Sequence, residues 1–167
     1  MTSGGRSFLY GSLLQAVAAG DLYAAVDFIE TGADLGVRDQ DHLDPLLLAA
    51  KEGHPFIIDE LLRAGADKNS RDLLGNTALH LAAAAGRVYT LDMLGRKGFG
   101  LDVRNQNDYT PVHVAAETGR PESIRTLVEL GADPLSNLKA GVFRIPLVVA
   151  AKAKQWSAAK MLWALGN

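Results

Sequence analysis

Apolar residues recur along this chain in short blocks that polar stretches separate. Some blocks, such as residues 57–62 and 124–128, have the spacing of one helix face. Alanine-rich blocks precede them, as in residues 45–50. Each alanine-rich block follows a polar residue suited to a helix N-cap, and glycine ends both kinds of block by allowing the left-handed backbone that closes a helix. The pattern predicts pairs of short helices, with the first helix of each pair small enough for neighbouring pairs to pack closely.

Glycine positions define a period of 33 residues. The first ladder, which we expect to end the first helix of each pair, consists of Gly20, Gly53, Gly86 and Gly119. The second ladder, which we expect to end the second helix, consists of Gly32, Gly65, Gly98 and Gly131. A third register comprises Pro45, Ala78 and Pro111, which follow the predicted N-caps Asp44, Thr77 and Thr110. Three registers kept over most of the chain indicate repeats, each of which buries its apolar face against its neighbours.

Residues 77–80 (Thr-Ala-Leu-His) and 110–113 (Thr-Pro-Val-His) resemble the Thr-Pro-Leu-His signature of the ankyrin repeat, and three Gly-Ala-Asp triplets resemble its second signature. The resemblance covers nearly all of residues 8–167, which we interpret as one domain. It implies an all-α solenoid of stacked antiparallel helix pairs, with β-hairpin-like loops projecting at right angles. We expect units at about 8–38, 39–71, 72–104, 105–137 and 138–167, with the first and last acting as caps.

The last unit departs from the pattern in three ways. Its loop, residues 135–145, carries a two-residue insertion. Lys154 stands where earlier units have glycine. Its terminal helix contains apolar residues that we expect to cover the face of the preceding repeat: Trp156, Met161, Leu162 and Trp163.

The third unit contains an internal irregularity. Gly95 occupies a position that Leu62 and Val128 fill in other units, and Phe99 replaces the alanine of Gly-Ala-Asp. Glycine inside a helix costs about 1 kcal/mol in helix propensity and leaves a void. We therefore expect the Phe99 ring to fill the space at Gly95.

Composition restricts the cellular compartment and the classes of partner that we expect. The 167 residues include no cysteine, which excludes disulfides and thiolate metal sites and favours the cytoplasm or nucleus. No stretch has the roughly eighteen apolar residues of a membrane span, and the start lacks a signal-peptide pattern. A formal net charge of −2 argues against nucleic acid as a partner. The charge is uneven, since residues 21–44 hold seven acids and one base, whereas five bases and no acid follow Asp133.

The histidines do not predict a metal site. His80 and His113 are 33 residues apart, so stacked repeats would hold them about 10 Å apart, too far to share one ion. The resemblance implies that both are structural hydrogen-bonding residues, and we expect His42 and His54 to be exposed loop residues. We find no Gly-x-Ser-x-Gly, phosphate-loop or His-x-x-x-His motif, so we predict neither an enzyme nor a cofactor.

The resemblance implies that partners bind at the loop tips and on the concave face of the first helices. By register, these surfaces contain Arg38, Asp41, Leu43, Arg71, Leu73, Leu74, Arg104 and Tyr109 on the loops, with Lys51 and Glu52 on the first helices. The three arginines form a ladder that either recognises a partner or pairs within the loops. The four apolar loop residues indicate a binding hot spot, or else they pack between adjacent loops.

We therefore predict a monomeric, non-catalytic module that binds another protein, and neither nucleic acid nor a membrane. One alternative is head-to-tail self-association of the acidic and basic ends. Another is kinase inhibition, because residues 90–112 resemble the third-to-fourth repeat junction of ankyrin-type inhibitors of cyclin-dependent kinases. That family has an aspartate where this chain has Leu81, and its shortened second repeat is absent because residues 44–51 predict a full helix. Asn69 resembles the asparagine that ankyrin-directed hydroxylases modify.

Overall fold

The computed structural model describes residues 10–135 and 145–165, which contain ten helices and no strand. In chain order the helices are α1 Leu13–Ala19, α2 Leu22–Glu30, α3 Pro45–Glu52, α4 Pro55–Arg63, α5 Ala78–Ala85, α6 Val88–Arg96, α7 Pro111–Glu117, α8 Pro121–Glu129, α9 Pro146–Lys152 and α10 Trp156–Leu165. The ends of the expected domain, residues 8–9 and 166–167, and most of the inserted loop lie outside the described residues.

The helices form two layers. The first helices of successive pairs, α1, α3, α5, α7 and α9, pack side by side in one layer. The second helices, α2, α4, α6, α8 and α10, pack against them in the other layer. Alanines make the first layer thin, since Ala49, Ala82 and Ala115 are completely buried between neighbouring pairs. Leucine and isoleucine from both layers fill the core, so the predicted all-α solenoid of stacked helix pairs is confirmed.

The predicted helix boundaries agree with the structure. The Asp44 side chain caps α3 by accepting the Leu47 backbone N–H at 2.9 Å, and Pro45 occupies the first turn. The eight-residue α3 confirms a full first helix in the second unit. All eight ladder glycines have positive φ, for example 85° at Gly53 and 95° at Gly65, so both ladders close helices as predicted.

Neighbouring pairs interlock at the first glycine ladder. A methyl group added at Gly20 would lie 2.6 Å from His54 Cε1, and one added at Gly53 would lie 2.7 Å from Arg87 Cδ. The side chain just before each second helix thus lies on the glycine of the preceding pair. These covering residues are His54, Arg87, Arg120 and Gln155. Two separate reasons require glycine in the first ladder: the positive φ, and the contact with a side chain of the next helix pair, which leaves no room for a Cβ. His54 is half-buried by this contact, so the expectation of an exposed loop residue was wrong.

The last pair caps the stack differently from our expectation. Leu162 is buried and Met161 packs against the core, as predicted. Trp156 and Trp163 are both largely exposed, so the expectation that they cover the preceding repeat was wrong. A helix ten residues long cannot turn four large side chains towards one neighbour, and the two tryptophans point away from the core face. Lys154 has φ 59°, the left-handed angle of the glycines it replaces.

The space at Gly95 is filled from the next pair. The three heavy atoms nearest to an added Cβ all belong to Leu130, the closest at 2.6 Å. Phe99 is buried, as expected, but its ring lies under the Lys68 ammonium, 5.1 Å from the ring centroid. The expectation that Phe99 fills the Gly95 void was therefore wrong, because a residue of the following repeat already occupies it.

Within the described ranges, no helix combines the length and the apolar character needed to cross a lipid bilayer.

Candidate partner-binding surface

Each described loop tip is a compact turn built around an Asp or Asn side chain. In the second loop, Asp72 Oδ1 accepts the backbone N–H groups of Leu74 and Asn76 at 2.9 and 2.7 Å. One backbone bond, from Asp72 N–H to the Asn76 carbonyl oxygen at 3.1 Å, closes the turn. Asp39 and Asn105 make the same bonds in the neighbouring loops. The loops are therefore hairpin-like and rigid, because their own side chains satisfy the backbone donors.

The arginine ladder connects consecutive loops. Arg38 Nη1 donates to the carbonyl oxygens of His42 and Arg71 at 2.6 and 2.9 Å. Arg71 Nη1 donates to the carbonyl oxygens of Gly75 and Arg104 at 2.8 and 3.0 Å. Local pairing, one of the two interpretations of these arginines, is thus present, and it extends from each loop to the next. All three guanidinium groups donate to a carbonyl oxygen of their own loop, and within the described residues Arg38 and Arg71 also donate to the next loop, which limits what these two can offer a partner.

Arg38 also belongs to a small buried network that replaces the Thr-His cap of other units. The second unit has Asp44 and Leu47 where the third has Thr77 and His80. Asp44 Oδ2 accepts a hydrogen bond from the Ser70 hydroxyl of the next loop and lies 3.7 Å from Arg38 Nη2. Arg38 Nη2 donates to Ser70 Oγ as well, at 3.1 Å. The Asp44 carboxylate thus makes a hydrogen bond to the next loop, as His80 does in the third unit.

Two of the four apolar loop residues form an exposed pair. Leu73 is 61% exposed and Leu74 is 54% exposed, at the tip of the second loop. The Leu74 carbonyl oxygen accepts the Gln106 N–H of the next loop at 2.9 Å, so the backbone below both side chains is fixed. Leu43 is buried in the core, and its assignment to the exposed cluster was wrong. It immediately precedes the cap Asp44, where the chain has already turned inward.

Tyr109 is half-buried and participates in the fold. Its ring stacks on the His113 imidazole, with centroids 5.3 Å apart and an interplanar angle of 14°. Its carbonyl oxygen lies 2.9 Å from His80 Nε2 in the preceding unit. The residue therefore supports the packing of adjacent units, and its partner-binding role remains a prediction.

The predicted residues of the first helix form ion pairs at the concave face. Lys51 Nζ lies 3.5 Å from Asp41 Oδ2 on the loop above it, so the structure brings two predicted residues together. Glu52 Oε2 lies 3.7 Å from Arg87 Nη2 of the next unit. Arg87 Nε also donates to the Lys51 carbonyl oxygen at 3.0 Å. Both ion pairs are partly exposed, so they remain available to exchange for charges on a partner.

Both signature histidines are structural, as the resemblance implied. His80 Nδ1 accepts the Thr77 backbone N–H at 3.2 Å, so Nε2 carries the proton and donates to the Tyr109 carbonyl oxygen at 2.9 Å. Burial lowers the pKa of His80 to about 4, against the opposing effect of that hydrogen bond. His113 accepts from Thr110 in the same way. In the described part of the chain, no three His, Asp or Glu side chains converge as metal ligands.

Sequence reasoning missed most of the exposed apolar surface. Of the large apolar side chains that are exposed, only Leu73 and Leu74 were predicted to bind a partner. Among the described residues, these exposed side chains are Tyr23, Val37, Phe56, Leu73, Leu74, Val88, Tyr89, Leu135, Trp156 and Trp163. Tyr23, Phe56 and Tyr89 keep the 33-residue spacing, which was a readable signal. They lie on the second helices, away from the loop tips.

Comparison with known proteins agrees with this architecture. A family model described as ankyrin repeats (3 copies) matches residues 13–104 and 57–138. No curated protein matches the sequence. Ankyrin repeats generally bind other proteins and are typically non-catalytic. The repeat spacing, the stacked helix pairs and the family match together establish that this chain belongs to the ankyrin-repeat family.

Proposed function

We propose that this chain binds a partner protein at the tip of its second loop and the adjoining concave face. The exposed Leu73–Leu74 pair carries the proposal. Two neighbouring leucines more than half exposed on a loop are unusual, because a turn needs no apolar side chain at its tip. Hydrogen bonds to Asp72 and from Gln106 hold this loop still, so a partner would not have to order it on binding.

The surroundings of the leucine pair supply a polar rim. Asp41, Lys51, Glu52 and Arg87 form two partly exposed ion pairs on the concave side. An apolar centre with a charged border is the usual anatomy of a specific protein interface. Arg104 completes the border, because its guanidinium pairs only with Asp108 of its own loop at 3.1 Å, among described residues. We expect Arg38 and Arg71 to contribute less, since each also donates to a carbonyl oxygen of the next loop.

The experiment begins with site-specific crosslinking. A photoreactive phenylalanine replaces Leu74 in one sample and Glu129, on a second helix, in a matched control. A partner crosslinked only through position 74 is identified, purified and titrated against the wild-type chain and a Leu73→Ser/Leu74→Ser variant. Burying two half-exposed leucines contributes about 2 kcal/mol, so we expect Kd to rise about thirty-fold.

A different result in this titration would contradict the proposal. A partner that binds the double-serine variant as tightly as wild type, with both chains showing the same thermal melt, would place the interface elsewhere. The variant tests binding alone, because neither leucine packs in the core.

The uneven charge supports a second arrangement, in which the acidic first unit of one copy meets the basic last unit of another. Sedimentation in 20 mM and 500 mM salt tests it, since exposed charges lose most of their attraction at high salt. An assembly that dissociates in high salt supports this arrangement, and a monomer at both concentrations refutes it. The absence of cysteine supports the reducing cytoplasm or nucleus as the location, which fractionation of expressing cells would test.

A further inference from the structure

Three consecutive second helices present a large aromatic side chain at the same position. Tyr23, Phe56 and Tyr89 are each the second residue of their helix and are 73%, 65% and 67% exposed. We call these three residues the aromatic ladder. The ladder lies on the second-helix layer, near the turn that joins the two helices of each pair, whereas the leucine pair lies at the loop tips.

The fold does not require aromatic residues at this position. The fourth and fifth units have Glu122 and Ser157 in the same place, and both are exposed in helices that begin as the others do. An exposed aromatic ring contributes little to the stability of its own helix. The ladder is therefore a surface feature of the first three units.

Charge changes sign where the ladder stops. Three residues after the aromatic position, α4 and α6 carry Asp59 and Asp92, whereas α8 and α10 carry Arg125 and Lys160. In the first unit the acid, Asp27, comes one residue later. Helices α2, α4 and α6 together hold five acids and two bases, and the bases, Arg63 and Arg96, lie in the last turns. The acids beside the ladder already have contacts within the chain, since Asp59 pairs with Lys97 at 2.9 Å, Asp92 pairs with Arg96 at 2.8 Å, and Asp27 is buried. Both ion pairs are partly exposed, so their carboxylates can exchange partners.

A depression accompanies the ladder between neighbouring helices. A cavity of about 240 Å³ opens between the first and second units, lined by Leu22, His54, Pro55 and Phe56 among others. Polar and apolar atoms both line this cavity, and the ring of Phe56 borders it. A small ring or aliphatic side chain of a bound chain would fit there.

The size of the ladder favours a peptide over a folded partner or a second copy. Three rings about two-thirds exposed offer roughly 300–500 Å² of apolar surface in a single narrow row. A stable dimer needs about 800 Å² from each partner. A row one side chain wide suits an extended segment.

Spacing selects the conformation of that segment. Neighbouring helices in one layer pack 8–10 Å apart, so the rings recur at about that interval. A polyproline II helix advances about 9 Å per turn of three residues, so every third residue would meet a ring. Proline rings stack well on aromatic faces, and this helix has little conformational entropy left to lose.

We propose that the aromatic ladder binds a basic, proline-rich segment in the polyproline II conformation. Every third residue stacks on Tyr23, Phe56 or Tyr89, while Lys or Arg side chains of the segment replace Lys97 and Arg96 in the partly exposed ion pairs with Asp59 and Asp92. This surface is separate from the leucine pair, so the chain has two faces for two partners.

The test uses fluorescence anisotropy with the full 167-residue chain and three labelled twelve-residue peptides. The peptide (Pro-Pro-Arg)₄ is the probe, (Gly-Ser-Arg)₄ matches its charge without proline, and (Pro-Pro-Glu)₄ reverses the charge. We expect the first to bind with Kd on the order of 10–100 µM and the other two at least ten-fold more weakly. A Phe56→Glu/Tyr89→Glu variant, which copies the residue of the fourth unit, should also lose at least ten-fold. A Leu73→Ser/Leu74→Ser variant is the matched control and should bind as wild type does.

A Glu122→Tyr/Arg125→Asp variant extends the ladder by one unit and should bind a fifteen-residue peptide of the same repeat several-fold more tightly. Equal binding of the glycine-serine peptide, or unchanged binding by a folded Phe56→Glu/Tyr89→Glu variant, overturns the proposal. The proposal is also overturned if the wild-type chain sediments as a dimer and the Phe56→Glu/Tyr89→Glu variant sediments as a monomer, because a second copy would then occupy the ladder.

Discussion

The strongest single prediction concerns the stability of the stack in mild acid. His80 is completely buried with both ring nitrogens hydrogen-bonded, and burial lowers its pKa to about 4. In the unfolded chain the pKa is the ordinary value of 6.5. Between pH 6.5 and pH 4, His80 is therefore mostly protonated in the unfolded state and mostly neutral in the folded state. The contribution of His80 to stability is complete above pH 6.5 and decreases as the pH falls towards 4.

The magnitude follows from the two pKa values. Between pH 7 and pH 5, the difference in proton binding lowers the free energy of unfolding by about 2 kcal/mol through this one residue. His80→Gln removes the titrating group and keeps an acceptor for the Thr77 backbone N–H, because Gln also completes a capping box. The variant should be somewhat less stable than wild type at pH 7, yet it should lose about 2 kcal/mol less on acidification.

Urea denaturation followed by circular dichroism at pH 7 and pH 5 measures both chains. Other groups titrate equally in the two proteins, so the difference between the two pH effects isolates His80. If His80→Gln and wild type lose the same free energy of unfolding between pH 7 and pH 5, the imidazole is not held neutral by burial and the reasoning fails.

Two other substitutions test the backbone and the loop connections. Lys154 has the left-handed angle of the ladder glycines, so Lys154→Gly should raise the free energy of unfolding by about 0.5–1 kcal/mol and Tm by about 2 °C. Ala153→Gly, at an ordinary backbone angle, should lower both, and a melt in which the two variants behave alike contradicts the interpretation. Arg71 connects two loops through carbonyl oxygens, so Arg71→Ala should cost about 1–2 kcal/mol in a urea titration. Arg104→Ala, which among the described residues removes only contacts with Asp108 of the same loop, should cost less than about 0.5 kcal/mol, and equal costs for the two would refute the structural role of the arginine ladder.

The fold was predictable because local rules and global packing agree. Each ladder glycine must adopt a positive φ, and Pro45 and Pro111 can stand only near a helix start. These are properties of single residues, and their repetition at 33-residue intervals specifies the stack. The 33-residue period therefore determined helix number, order and layer.

The exposure of loop side chains was harder to predict, because it depends on contacts with the next unit. Leu43 and Leu74 are equally apolar and belong to neighbouring loops, yet only Leu74 reaches the surface. Likewise Leu130 reaches Gly95 from the following helix pair, a contact that no rule based on neighbours in sequence contains. One of the two carbonyl partners of Arg38, that of Arg71, lies 33 residues away and was equally invisible in the pattern.

The contacts at the first glycine ladder give the stack a direction, because the two sides of each unit are different and every joint between units is built in the same way. Each unit offers a bare glycine to its successor and lays a side chain over the glycine of its predecessor. In three of these joints, as at Gly53 and Arg87, the two halves are 34 residues apart, and in the last they are 36 apart. Duplicating or deleting 33 residues among the first four units would rejoin matching halves, so unequal recombination could lengthen or shorten the protein while keeping these joints intact. The final joint would tolerate such an exchange only together with its two additional residues.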